Sequence, residues 1–231
     1  MPPSGTGRPA TSDELIIRAL LYRLRQGSTW RALSIFAPHT TIYTRWKKWC
    51  ETGVWEKILS QLARAGKGKL WSIDGSCIKV HKHGFGGVGG IENQLIGKTK
   101  GGWNTKVHAL VDINGMPIRI LLGAGNRHDI LSAPELVKGE TGRHILADKA
   151  YDSDEFRRLL REQGLADCIP PKANRKDPAS YHKGHYRHRH NVENFFQRIK
   201  EYRAVSSRFE KLAERFLGFV QLAAILTWLR F

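Results

Sequence analysis

Cysteine is scarce in this chain. Cys50, Cys77 and Cys168 are scattered, odd in number and never in Cys-x-x-Cys spacing. That excludes a disulfide framework and a cysteine-built zinc site, and it reads as reduced thiols of the cytosol. Long apolar runs are missing too. Spanning a bilayer takes about 18 apolar residues, and the longest candidate, 222–229, is short and interrupted by Thr227. The Pro/Gly-rich stretch 1–12 has no apolar centre, so it is not a secretory signal. Gly97-Lys98-Thr99 imitates the end of a phosphate loop. Position 92 is Glu92 instead of glycine and no strand-loop-helix context surrounds it, which excludes ATP binding on that motif. There is no internal repeat. Acidic residues are the last shortage: 21 Asp and Glu stand against 38 Lys and Arg, a net charge of +17. Folding needs no such excess; it marks a polyanionic partner, nucleic acid before membrane.

What is present is enough apolar residue, 41% of 231, to bury a sizeable core. Residues 13–65 read as helical. Asp13 can cap a helix through Leu15, Ile16, Ala19, Leu20 and Leu24, stopped by Gly27. Ser28 or Thr29 caps a second short helix that Pro38 breaks. A third, from Ile42 to Cys50, carries Arg45, Lys47 and Lys48 beside Trp46 and Trp49. Three short helices with a basic third match a helix-turn-helix domain, with a small bundle bearing a solvated basic face as the alternative. Residues 65–69 are a Gly/Lys-rich joint, dividing the chain into 1–65 and 66–231.

Beyond the joint, 70–81 alternates like a strand, and 83–102, with its many glycines, reads as a flexible loop. Strands 105–113 and 117–122 are joined by Asn114-Gly115, a strong hairpin signal. A helix over 130–137, a strand over 144–147, a helix to Gln163 capped by Ser153, and a strand over 166–169 follow. Then come a polar loop, 172–188, and two helices, about 190–202 and 208–229. A hairpin followed by a β-α-β unit makes a mixed sheet with helices on its faces, the order of an α/β, RNase H-like domain.

Tyr186, Arg189, Glu193 and Lys200 stand out within that final part. Steps of 3, 4 and 7 put all four within roughly a 60° stripe if they share one helix. Val192, Phe195, Phe196 and Ile199 form an apolar stripe beside it. Asp74 and Asp148 each close a short apolar run, where strand-end site residues sit. Each acid has a plain alternative: a turn residue before Gly75, a helix cap, and an i, i+4 salt bridge of Glu193 with Arg189. Three carboxylates in a basic chain suit metal-dependent phosphodiester chemistry. His182, His185, His188 and His190 fit no zinc spacing. With Lys183, Arg187 and Arg189 they read as a phosphate-contact track, extended by Lys172, Arg175 and Lys176, or else as a solvated loop.

These residues carry a resemblance. Tyr186-x2-Arg189-x3-Glu193-x6-Lys200 matches the Y-R-E-K signature of bacterial insertion-sequence transposases of the Asp-Asp-Glu class. Trp71-Ser-Ile-Asp74, Lys106–Asp112, Gly125–Asp129 and Ala147–Asp152 are similar to that group's recurring blocks, and the likeness runs from about Arg18 to Trp228. It implies a metal-binding triad of Asp74, Asp148 and Glu193, two Mg²⁺ ions with Mn²⁺ able to stand in, and Tyr186, Arg189 and Lys200 on the DNA end. It also implies cleavage at terminal inverted repeats, joining of the 3′-OH to target DNA, a homodimer assembled on DNA, and work at the bacterial nucleoid with no membrane. Ala150 stands where that group usually has glycine, which matters only if φ is positive there. The 45 residues from Asp148 to Glu193 leave no room for a large inserted β-domain. A DNA-binding repressor without cleavage and a stand-alone nuclease of the same fold remain the alternatives.

Overall fold

The computed structural model describes residues 11–66 and 68–229. The stretch 1–10 and Lys67 of the joint lie outside them.

Three N-terminal helices come first: α1 (Asp13–Gln26), α2 (His39–Glu51) and α3 (Val54–Ala63). Ser12, and not Asp13, caps α1: its Oγ accepts from the Leu15 amide at 3.3 Å, while Asp13 sits in the first turn and favours the helix dipole. Gly27 ends α1 at φ +63°, as expected of a left-handed C-cap. The expected second helix is a single 3₁₀ turn, Arg31–Ile35, with the Thr29 hydroxyl accepting from Ala32. A fourth helical segment, α3, completes the group.

A mixed sheet follows, built on β1 (Leu70–Val80). Beside it runs β3 (Gly102–Val111), antiparallel and in register from Ser72 opposite Val111 to Lys79 opposite Asn104. The far edge of β3 is shared by β2 (Gly97–Thr99) and β4 (Pro117–Ala124), both antiparallel. The β3–β4 hairpin turns where expected. Gly115 takes φ +72°, and Asp112 Oδ1 accepts from the Asn114 and Met116 amides at 2.9 Å each. The other edge of β1 pairs in parallel with β5 (His144–Leu146), which pairs in parallel with β6 (Ala166–Cys168). Two residues, β7 (Ser207–Arg208), extend that edge opposite Lys79 and Val80.

The stretch 83–102 is more ordered than its glycines suggest: it holds the short helix α4 (Gly90–Asn93) and strand β2. The helix expected over 130–137 is a 3₁₀ turn running into α5 (Ala133–Val137), and α6 (Asp154–Glu162) is capped by Ser153 as expected. The polar loop 172–188 ends in a helix, α7 (Lys183–Tyr186). A 3₁₀ turn, Arg187–Arg189, joins it to α8 (His190–Lys200). The chain then forms α9 (Arg203–Ser206), β7 and α10 (Ala213–Leu229). Among the described residues no helix is long and apolar enough to cross a membrane.

Each face of the sheet has its core. Trp71, Ile73 and Leu110 pack against α5, α6 and Tyr151 on one side. Ile78, Val107, Ala109 and Val111 pack on the other against Phe195, Ile199, Phe216 and Phe219 of α8 and α10. That second core does not stop at the joint. Leu20, Leu24, Trp46 and Trp55 of the N-terminal helices belong to it. Trp46 is fully buried and stacks on Phe219, ring centres 4.2 Å apart. Arg215 of α10 donates to the Lys47 carbonyl and to Glu51, and Arg23 of α1 pairs with Glu210. The joint at 65–69 therefore separates two stretches of sequence that share one hydrophobic interior.

Candidate active site

Period two along β1 sorts its side chains. Trp71 and Ile73 enter the core over α5 and α6, while Ser72, Asp74 and Ser76 turn to the α8 side. All three of the latter meet one segment. Ser72 Oγ donates to the His188 carbonyl at 3.4 Å, and Asp74 Oδ2 accepts from Arg189 Nη1 at 3.4 Å. Ser76 Oγ accepts from Lys200 Nζ at 2.7 Å. The apolar stripe of Val192, Phe195, Phe196 and Ile199 is buried as expected, and it holds α8 in this position. The stripe of Tyr186, Arg189, Glu193 and Lys200 does not lie on a single α-helix; it crosses from α7 through the 3₁₀ turn into α8. Backbone angles stay right-handed helical throughout, so the side chains still share one side.

Arg189 is the centre of the site. One arm of its guanidinium reaches Asp74 on β1 and the other binds Glu193 on α8. The i, i+4 pair read from the sequence exists, but it is half of a bridge between two acids. Asp148 follows β5, the parallel neighbour of β1. Its Oδ1 accepts from the Ala150 amide at 2.8 Å and caps the 3₁₀ turn Lys149–Tyr151. Ala150 is not among the residues with positive φ, so the missing glycine carries no strain. Burial pushes the Asp74 carboxyl up to about 6, against the Gly75 amide and Arg189, with the charges of Asp148 and Asp129 adding to the rise. Tyr151 is buried beside the same three acids. Burial and their charges push its phenol well above the usual range, and its hydroxyl has no hydrogen-bond partner among the described residues.

Asp129, His108 and Lys106 were not singled out by sequence reasoning, although they fall in the similar blocks. Lys106 Nζ pairs with Asp129 Oδ1 at 2.8 Å. A side chain at Gly75 would collide with both Asp129 and His108, so glycine beside Asp74 is a packing requirement. His108 is 1% exposed, and burial lowers its pKa despite the Asp129 charge. His108 lies opposite Gly75 in the strand register, a pairing that no local spacing reports.

The remaining candidates scatter. Tyr186 is half-buried with the Arg189 guanidinium 6.0 Å from its ring. Arg175 is not on a free basic track. Its guanidinium is committed to Asp152 at 2.8 Å and Asp154 at 2.6 Å, and the Lys172 amide donates to Asp152 at 2.7 Å. Arg45 pairs with Asp13 and lies over Trp49, and Lys47 lies 3.8 Å from Glu51; Lys48 is exposed and makes no ion pair among the described residues. His182 stacks on His185, which meets His144 edge-on. Among the described residues, no three His, Cys, Asp or Glu side chains stand close enough to share one metal ion.

Residues 66–228 match the family profile described as transposase DDE domain, and 1–59 match a profile for transposases of the IS4/5 family. The chain is 38% identical over 128 residues to a Brucella ovis protein assigned as the transposase of insertion sequence element IS6501, covering 54% of this chain and 98% of that one. It is 28% identical over 156 residues, 59% of this chain and 72% of the relative, to a Burkholderia cepacia protein assigned likewise to element IS402. Among solved structures it is similar to the piggyBac transposase in a synaptic complex with hairpin DNA, with TM-score 0.51 and 13% identity over 92% of this chain and 62% of that one. At that identity the likeness speaks for the RNase H-like fold alone. With a family match across most of its length, the chain belongs to the DDE transposases, metal-dependent enzymes of DNA cleavage and strand transfer.

Proposed function

We propose that Asp74, Asp148 and Glu193 are the metal-holding acids of this transposase, and that they hold two Mg²⁺ ions, replaceable by Mn²⁺. The carrying observation is the Arg189 guanidinium spanning Asp74 and Glu193. The space between strand β1 and helix α8 is already built around positive charge. The donor set fits as well: three carboxylates offer the hard oxygens that Mg²⁺ prefers. When bound, the metal pair supplies Lewis-acid activation of the attacking oxygen and stabilises the leaving one. The chain's own residues do the rest. Arg189 holds Asp74 and Glu193 apart until it turns to a DNA phosphate. Lys200 and Tyr186, on the same side of the α7–α8 segment, seat the DNA end. Asp74 and Asp148 each follow the last β1–β5 pair, Ser72 opposite Leu146, by two residues, which supports their sharing one end of the sheet.

In this reading the N-terminal helices recognise terminal inverted repeats, with Lys48 the most available side chain for phosphate. Cleavage frees a 3′-OH, which the same site directs at target DNA. Two copies assemble on the paired ends, at the bacterial nucleoid. The test uses duplex DNA bearing the cognate element ends, with and without Mg²⁺. Asp74→Asn, Asp148→Asn and Glu193→Gln should each cut nicking by about a thousandfold or more, about 4 kcal/mol of barrier, and leave duplex affinity intact. A variant that kept near-normal Mg²⁺-dependent nicking would remove its residue from the triad.

A further inference from the structure

The N-terminal helices and the segment after β7 meet in a cleft of about 740 Å³ that the catalytic site does not use. Aromatic rings line it from both sides. Trp30 and Tyr43 come from the helices, in edge contact at 5.0 Å. His81, at the end of β1, comes from the other side with Phe209 4.7 Å away. Cations stand at the same cleft. Arg31 and Lys211 are exposed and make no ion pair among the described residues. Two buried arginines complete the lining. Arg23 is 6% exposed and binds Glu210 and the Ser28 carbonyl; Arg215 is 2% exposed and binds Glu51 and the Lys47 carbonyl. Yet Nε of both, and the Ser28 hydroxyl, are buried with no hydrogen-bond partner among the described residues. Native proteins rarely leave buried donors unfilled, and each such group calls for an explanation.

Aromatic walls, free cations and unfilled donors point to a planar, acceptor-rich, anionic ligand. Arginine and lysine have no acceptor to offer, so the ligand must supply oxygens or ring nitrogens. An unstacked nucleotide has all three properties: a π face, carbonyl acceptors and a phosphate. Position supports this. β1 runs straight from Asp74 to the cleft, and seven residues of strand span about 23 Å. In a duplex that distance is about seven base pairs at 3.4 Å each, and an unstacked single strand covers it in fewer nucleotides.

We propose that this cleft binds an unpaired nucleotide of single-stranded DNA, its base against Trp30, Tyr43 and His81 and its phosphate on Arg31 and Lys211. The inference rests on DNA as the substrate, not on the acidic triad. The test is the affinity of the whole chain, in EDTA, for a twelve-residue oligothymidylate and for a blunt random duplex, read by fluorescence anisotropy. Tyr43→Ala should weaken oligothymidylate binding roughly 5- to 100-fold, with duplex affinity changed less than twofold, and Tyr43→Phe should restore it. Arg31→Ala, at an exposed turn position, should weaken the single strand in the same selective way. Both alanine variants binding oligothymidylate as the parent does would overturn the proposal. So would a parent chain that binds duplex but not oligothymidylate, which leaves the transposase reading standing. Binding neither DNA would sink both.

Discussion

Phe219→Ala is the substitution that most directly probes the interior shared across the joint. Phe219 is fully buried, stacked on Trp46 at 4.2 Å, tilted against Trp30 at 6.1 Å, with the Arg23 guanidinium 5.5 Å from its ring. Removing a buried phenyl group costs about 3–5 kcal/mol in lost transfer energy and cavity. In a chain of this size each kcal/mol moves Tm by about 2–4 °C, so the variant should melt roughly 6–20 °C lower. The assay exploits tryptophan placement. Trp30, Trp46, Trp49 and Trp55 lie in the N-terminal helices, four of the seven in the chain. Their fluorescence follows that part, while far-UV circular dichroism follows the whole. Urea transitions by the two probes should coincide in the parent and shift together in Phe219→Ala, the mark of one cooperative unit. A shift in fluorescence alone, or a loss under about 1 kcal/mol, would show the N-terminal helices to be independent and refute the shared core.

Asp152 is fully buried between Arg157 and Arg175. Burial pushes its carboxyl up, but the Lys172 amide and the two guanidinia outweigh that and hold it below the usual range. Its contribution is therefore complete above about pH 4, the unfolded value, and disappears as pH falls through the folded one. Asp152→Asn should cost about 1.5–3 kcal/mol, because it removes one charged partner of Arg157, which keeps Asp167 and the Ile169 carbonyl, and should flatten the acid limb of the denaturation midpoint; a limb of unchanged slope would exclude Asp152 as its source. Lys200→Ala should lower the salt slope of DNA-end binding by about one unit, whereas Ser76→Ala, which removes only the partner of Lys200, should leave it unchanged; equal slopes in all three proteins would place Lys200 off the DNA. Lys48→Ala should weaken binding of terminal-repeat and random DNA alike, and more than Arg45→Ala does, since Arg45 is held by Asp13; the reverse ranking in a binding titration would take Lys48 off the phosphate.

The parts legible in the sequence were those set by local chemistry. Asn114-Gly115 announced its hairpin because the turn needs a positive φ, and Ser153 announced its helix by the amide it caps. The apolar stripe of α8 followed from spacing alone, and with it the side on which Arg189, Glu193 and Lys200 stand. Long-range pairing was not legible. Nothing near Arg175 indicates that its guanidinium closes on Asp152 and Asp154, 23 and 21 residues away. Two-residue β7 has no pattern of its own and exists because Lys79 and Val80 offer an open edge. The glycines of 83–102 suggested a loop, and several serve close approach instead: a side chain at Gly97 would strike Asn126. Asp74 and Glu193 were readable as candidate acids. That one arginine bridges them depends on β1 and α8 packing together, which no local spacing reports.

The shared interior also sets an order in time. Phe219 leaves the ribosome 173 residues after Trp46. At about 5–20 residues per second that is a wait of roughly 10–35 s. During it the N-terminal residues have been made, but the aromatic face around Trp46 has nothing to close on. A nascent chain consequently cannot present finished N-terminal helices before its acid-bearing strands and α10 have been made. Chains broken off before α10 leave that aromatic face exposed for aggregation or proteolysis.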